Sequence, residues 1–238
     1  MKLLKFLPTL ALICCAYSNA ANLNNQEFLS LYQSKVTNIL NNYPQNDGKK
    51  LNAQIFDINN NAYMGFLSAS RGYKKPSGDV MAMMYYDQFK VNDKDTSFCF
   101  ILYDSKSNLL NSYLKNTLLD YESVTNYLVM HEMGHCLYAH QQQIGNIKEK
   151  ITERENEQVA DMFSVAYFSV IGQKENAVKI VRQNRKIDPK DIHSNGKDVE
   201  NFFVLFNDLD NIEQYSDFGK LFDITFKLFT KNKNNNIN

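Results

Sequence analysis

The apolar positions of this chain change their spacing twice, and these changes mark out its predicted elements. Apolar residues recur at helical spacing over 24–42, which predicts a first helix. Between 51 and 103, stretches rich in aromatic and branched residues are separated by turn-forming residues, and each predicts a β-strand. The predicted strands are LNAQIFDI (51–58), AYMGFLSA (62–69), VMAMMYY (80–86) and TSFCFILYD (96–104). From 107 onward the spacing is helical again. The predicted helices are 107–118, 122–141, 152–171, 174–186, 198–209 and 214–230.

Strands that come first and helices that follow them favour an α+β fold over an alternating parallel sheet. We expect one domain over residues 21–230, because a chain of 238 residues is long enough for one large core and short for two domains. The last residues, 231–238, read KNKNNNIN and predict a disordered polar tail.

The first residues have the layout of a secretory signal. Lys2 and Lys5 precede an apolar run over 6–16, and small residues lead to a cleavage position after Ala20. This pattern predicts that residues 1–20 are a signal peptide and that the protein is secreted or periplasmic. The alternative is an N-terminal anchor that is not cleaved. No other apolar stretch is long enough to predict a membrane span after cleavage.

The balance of acidic and basic residues in the chain indicates which classes of partner are not expected. The chain has 26 basic and 26 acidic residues, and no basic run stands out, so a nucleic-acid footprint is not expected. No glycine-rich loop followed by a lysine indicates a phosphate site.

Signal cleavage would leave two of the four cysteines, Cys99 and Cys136. An even pair in an oxidising compartment predicts a disulfide. Both cysteines lie in apolar surroundings, so two buried thiols are the alternative.

The segment HEMGH, residues 131–135, carries the main chemical signal. On a helix, His131 and His135 are four residues apart and face the same side, where two imidazoles can hold one Zn²⁺ per chain. Glu132 lies one residue further along, and its carboxylate can accept a proton from water that zinc has made more acidic. Gly134 disfavours a helix, so it predicts close approach by another backbone. The alternative is that these are ordinary histidines and the motif is accidental.

Catalytic zinc takes three protein ligands, and the third must come from elsewhere. His140 is one residue short of the spacing in HExxHxxGxxH, and Tyr138 occupies the position of its glycine. Glu157 and Asp161 are four apart and share one helix face. Asp161 lies in an apolar stretch and needs a partner there, which predicts that Glu157 binds zinc while Asp161 orients a ligand histidine. The alternative is a surface acidic cluster that also contains Glu149, Glu153 and Glu155.

HEMGH followed by NEQVAD (156–161) resembles the gluzincin metallopeptidases, whose pattern is HExxH and then ExxxD on a following helix. The resemblance implies a zincin-like fold, in which a small N-terminal sheet precedes an active-site helix and a mainly helical C-terminal half. It implies that His131, His135 and Glu157 bind zinc, that Glu132 is the general base and that Asp161 supports a ligand. It also implies that TSFCFILYD is the strand next to the active-site helix, with an edge to which an extended peptide could add.

His193, in the polar loop DIHSNGK, resembles by its order in the chain the late histidine with which thermolysin-like enzymes stabilise the oxyanion. It is therefore a catalytic candidate, and a solvated loop histidine is the alternative. Tyr127 and Tyr138 are further candidates for the side chain that donates a hydrogen bond to the oxyanion.

These observations lead to three hypotheses. The first is a secreted zinc peptidase that hydrolyses peptide or protein substrates. The second is a secreted protein that retains zinc and binds a partner without turnover. The third is a helical interaction domain in which HEMGH is accidental.

Overall fold

The computed structural model describes residues 25–41, 50–60, 64–65, 67–69, 72–74, 78–91, 94–184 and 218–235. The strands are β1 (Lys50–Asp57), β2 (Ala82–Val91) and β3 (Lys94–Tyr103). The long helices are α1 (Asn25–Asn41), α2 (Asn108–Thr117), α3 (Tyr121–Gln143), α4 (Glu153–Val170), α5 (Lys174–Asn184) and α6 (Phe218–Asn235). A small sheet early in the chain and helices after it confirm the predicted α+β class. None of the described helices is both long and apolar enough to cross a membrane.

Two predicted elements differ from the structure. The described residues of 62–69 are helical, although this stretch was predicted to be a strand. Met64 and Leu67 are three residues apart, and both pack against the cluster that contains Phe100 and Leu102 of the sheet. Residues three apart share a face in a helix but point to opposite faces in a strand. The last helix continues to Asn235, so most of the predicted polar tail is helical. The predicted signal segment 1–20 and the predicted helix 198–209 lie outside the described residues.

The three described strands form one sheet in the order β1-β3-β2. Strand β1 is parallel to β3, and β2 is antiparallel to β3. The strand predicted to offer an edge to a peptide, TSFCFILYD, is therefore the middle strand, and both of its sides are paired. This part of the prediction was wrong, because a sequence pattern does not specify the order of strands in a sheet.

Helix α3 lies between the sheet and α4, and its burial reflects this position. Every residue from 123 to 138 is buried, so the helix contacts protein on all sides. One side of α3 packs against β2 and β3, and the other packs against α4, which in turn contacts α5 and α6. The core of the protein is therefore arranged around this helix.

A disulfide joins Cys99 of β3 to Cys136 of α3, with the two Cα atoms 5.8 Å apart. Both residues are fully buried. The bond fixes α3 against the middle strand at the residue that follows His135. Of the two alternatives for the cysteines, the structure shows the disulfide.

Gly134 lies where the backbone of α3 comes close to that of α4. A Cβ atom built at this position would lie 2.9 Å from the Cα of Ala160 and 3.3 Å from the Cβ of Phe163. The close backbone approach that the glycine predicted is confirmed. A side chain here would force the two helices apart.

We therefore expect Gly134→Ala to lower the free energy of unfolding by about 1–3 kcal/mol, the usual cost of overpacking, even though alanine favours a helix. Urea unfolding in the presence of a chelator measures this change without a contribution from bound metal. Gly65→Ala is the matched control, because its added Cβ has open space and should change stability by less than about 1 kcal/mol. Equal effects of the two substitutions would contradict the packing argument.

Candidate metal centre

Capping interactions fix where the two helices of the site begin. Asp120 caps α3, and its side chain accepts a hydrogen bond from the backbone N–H of Ser123 at 2.6 Å. Thr152 caps α4 in a capping box with Glu155, in which each side chain accepts a backbone N–H of the other residue. Glu157 therefore lies in the second turn of a helix whose start is well defined.

The two helices run antiparallel where they meet, because earlier residues of α3 contact later residues of α4. Tyr127 contacts Asp161, and His135 contacts Glu157. His131 lies between these pairs and contacts both carboxylates. The side chains at helical spacing on α3 thus face the pair of acids on α4.

Three potential ligand atoms converge between the helices. The Nε2 atoms of His131 and His135 are 3.1 Å apart. The Glu157 carboxylate lies 3.1 Å from Nε2 of His131 through Oε2 and 3.3 Å from Nε2 of His135 through Oε1. These three residues form a group whose ligand atoms all lie within 4.8 Å of one another and could hold a metal ion.

The separations suit a small tetrahedral ion. Metal–ligand distances of about 2.0–2.1 Å in a tetrahedral site place neighbouring ligand atoms about 3.3 Å apart. The observed separations of 3.1 and 3.3 Å are close to this value. The two imidazoles and the carboxylate would fill three of the four positions around a tetrahedral ion. These three residues would leave the fourth position open.

Asp161 orients the first histidine. Its Oδ1 lies 2.8 Å from Nδ1 of His131, and its side chain is almost fully buried. This contact directs Nε2 of His131 towards Glu157 and His135. His135 differs, because its Nδ1 is buried and has no hydrogen-bond partner in the described part of the chain.

The electrostatic environment of His131 favours positive charge. Burial lowers the pKa of His131, but Asp161 and Glu157 outweigh this effect and raise the pKa to about 10. Two carboxylates in a nearly dry site stabilise a cation at the point where the imidazole nitrogens meet. A metal ion would supply that charge.

Three other residues were considered for the site from the sequence: Glu132, His140 and His193. Glu132 is buried on α3, directly after His131. His140 is not part of the metal-binding group in the described chain, and its Nδ1 lies 3.3 Å from the hydroxyl of Tyr86. His193 lies outside the described residues.

The structure does not support the alternative of a surface acidic cluster. Glu149 and Glu155 both pair with Lys233 of α6. The Glu157 side chain is only 14% exposed and faces the histidines. The acids of this segment therefore have different environments, and only Glu157 belongs to the metal-binding group.

Sequence reasoning missed the contact of Tyr127 with this site. Its hydroxyl donates a hydrogen bond to Oδ1 of Asp161 at 2.6 Å. The available signal was the spacing of 127, 131 and 135, which places all three residues on one face of α3. Tyr138, the other candidate oxyanion donor, donates to the carbonyl of Glu149 at 3.2 Å, so both hydroxyls are engaged.

Comparisons with protein-family models, with curated proteins and with solved structures found no match to this chain.

We expect purified protein to contain one divalent metal ion per chain, and metal analysis after dialysis measures it. His135→Ala and Glu157→Ala should each reduce metal retention, because each removes one of three ligands. Glu153→Ala is the matched control on the same helix and should retain the metal. Full retention by Glu157→Ala, or loss of metal from Glu153→Ala, would show that the ligands are assigned wrongly.

Proposed function

We propose that this chain is a secreted zinc-dependent peptidase with a gluzincin-like centre in a zincin-like fold. The observation that carries the proposal is the convergence of two imidazole nitrogens and one carboxylate between two buried helices. Histidine nitrogen and carboxylate oxygen are ligands that zinc takes readily, and three protein ligands with one open position are typical of catalytic zinc.

Zinc bound by these residues would supply Lewis-acid chemistry: it would polarise a carbonyl oxygen and make water a stronger acid. Within the chain, Glu132 is the proposed general base. It follows His131 directly and is buried on the same helix. Its carboxylate would take a proton from the attacking water and pass it to the leaving amine, so that one group serves both steps. His131, His135 and Glu157 would hold the ion, and Asp161 would keep His131 in place.

Strand β2 is the proposed binding surface for an extended peptide. It is antiparallel to β3, and only β3 pairs with it in the described sheet. It also packs against α3, where Gln143 donates a hydrogen bond to the side chain of Gln88 at 3.1 Å. An extended segment that adds to a strand gains main-chain hydrogen bonds, whatever its sequence.

Two features support export. Disulfides persist in oxidising compartments, and Cys99 and Cys136 form one in the core. The first twenty residues have the charge and apolar pattern of a signal peptide. Neither feature depends on the metal centre, so they support the proposed location independently of the proposed chemistry.

A zinc-binding protein without turnover is the second candidate. It is favoured by the engagement of both tyrosines that the sequence offered as oxyanion donors. Tyr127 donates to Asp161, and Tyr138 donates to the backbone of Glu149. A protein of this kind would keep the ion and would bind a partner.

Glu132→Gln separates the two candidates, because it keeps the size of the side chain and removes the base. We expect the zinc content and the melting temperature to stay close to wild type while peptide hydrolysis falls about 10²-fold or more. Cleavage of a broad peptide library by zinc-loaded protein is the measurement. Glu122→Gln is the control, since Glu122 lies in the first turn of α3 and pairs with Lys35 at the surface.

Wild-type hydrolysis that survives both chelation and Glu132→Gln would contradict the mechanism. A zinc-loaded wild type that cleaves no member of the library would favour the binding protein instead.

A further inference from the structure

Tyr127 lies one helical turn before His131, on the face of α3 that carries the proposed ligands. Its ring is nearly parallel to that of His131, with an angle of 26° and 6.3 Å between the ring centres. Tyr127, His131 and His135 therefore follow one another at intervals of four residues, and they face Asp161 and Glu157 on α4. The tyrosine is the first of these three residues along α3.

Two donors share one oxygen of Asp161. The hydroxyl of Tyr127 donates to Oδ1 at 2.6 Å, and Nδ1 of His131 lies 2.8 Å from the same atom. Hydrogen bonds to an ionised carboxylate are shorter and stronger than those between neutral groups, and both distances are in that range. The three side chains thus form a continuous chain of polar contacts that ends at the proposed metal ligand.

Burial makes the tyrosine hydroxyl hard to replace. Asp161 has no exposed surface, and Tyr127 is 2% exposed. If the hydroxyl were removed, bulk water would not reach Oδ1 to take its place, and the carboxylate would be left with fewer donors in a dry environment. Rotation of the Asp161 carboxylate would then be less restricted.

We propose that Tyr127 is a positioning residue for the metal centre, acting through Asp161. Its hydroxyl holds Oδ1 of Asp161 against Nδ1 of His131, and this keeps the Nε2 atom of His131 directed towards His135 and Glu157. The proposal rests on the metal-binding part of the proposed function and does not depend on peptide hydrolysis.

Tyr127→Phe tests this role, because phenylalanine keeps the ring that packs against His131 and the edge contact with Phe168. The measurement is the dissociation constant of zinc, obtained by competition with a chromophoric chelator. We expect zinc to bind about 10-fold more weakly, the lower end of the effect of losing a group that supports a metal ligand. An unchanged dissociation constant would overturn the proposal.

Tyr167→Phe is the matched control. Tyr167 is also buried and lies on α4, and its side chain forms a hydrogen bond with Asn126 of α3. We expect this substitution to lower the melting temperature while zinc affinity stays within about twofold of wild type. An equal loss of zinc affinity in both variants would mean that Tyr127 contributes only to general packing, and it would overturn the proposal.

A double-mutant cycle shows whether the effect passes through Asp161. Asp161→Leu, which removes both carboxylate oxygens, should itself weaken zinc binding about 10- to 100-fold. In that background Tyr127→Phe should cause no further loss, because leucine has no oxygen to accept a hydrogen bond from the tyrosine hydroxyl. The same 10-fold loss in both backgrounds would overturn the role assigned to the tyrosine.

If Tyr127→Phe does not fold, fluorine NMR tests the same contact in the folded protein. With 3-fluorotyrosine at position 127, the resonance should shift when zinc is added to saturation, and the shift should disappear in Asp161→Leu. The same label at 167 should not shift. A shift at 127 that persists in zinc-saturated Asp161→Leu, or no shift at all, would overturn the proposal.

The outcomes also separate this proposal from the proposed function. Zinc that binds tightly without any peptide cleavage would defeat the peptidase and leave the role of Tyr127 intact. A wild type that binds no zinc would defeat both.

Discussion

The contact between α3 and α4 at Gly134 is the constraint on which the metal centre depends. Only a residue without a side chain allows the two backbones to approach to the distance set by Ala160. At this separation, side chains of α3 can contact side chains of α4 directly. His131 and His135 reach Glu157 at 3.1 and 3.3 Å without any loop contributing to the contact. A wider spacing would leave the carboxylate too far from one or both imidazoles.

The two acidic side chains of the centre are buried, and burying them is energetically costly unless a positive charge lies close to them. The Asp161 side chain is almost fully buried and that of Glu157 is 14% exposed, and an isolated carboxylate in buried surroundings is strongly disfavoured. In the structure this negative charge is balanced in part at His131, whose pKa the acids raise in spite of burial. A divalent ion would balance both acids more completely and would release the proton that His131 holds. The stability of this core and its affinity for a metal are therefore linked.

Much of the site could be predicted from sequence because its chemistry follows helical spacing. Residues four apart share a helix face in almost any context, so the pairs 131/135 and 157/161 were informative alone. Three other features depend on contacts between distant parts of the chain. The order of the strands, which places TSFCFILYD in the middle, follows from pairing of β1 with β3 across the sheet. The short apolar run at 62–69 fits either a strand or a helical turn, and packing decides between them. Tyr127 has the pattern of any core aromatic residue until its contact with Asp161 is known.

The position of a bound metal ion is the most direct test of the proposed centre. Crystals grown with zinc, with diffraction recorded on both sides of the zinc absorption edge, would locate the ion without reference to activity. We expect one anomalous peak per chain, bonded to Nε2 of His131, Nε2 of His135 and a carboxylate oxygen of Glu157 at about 2.0–2.2 Å. A peak held by any other set of residues, or no peak between α3 and α4, would contradict the account.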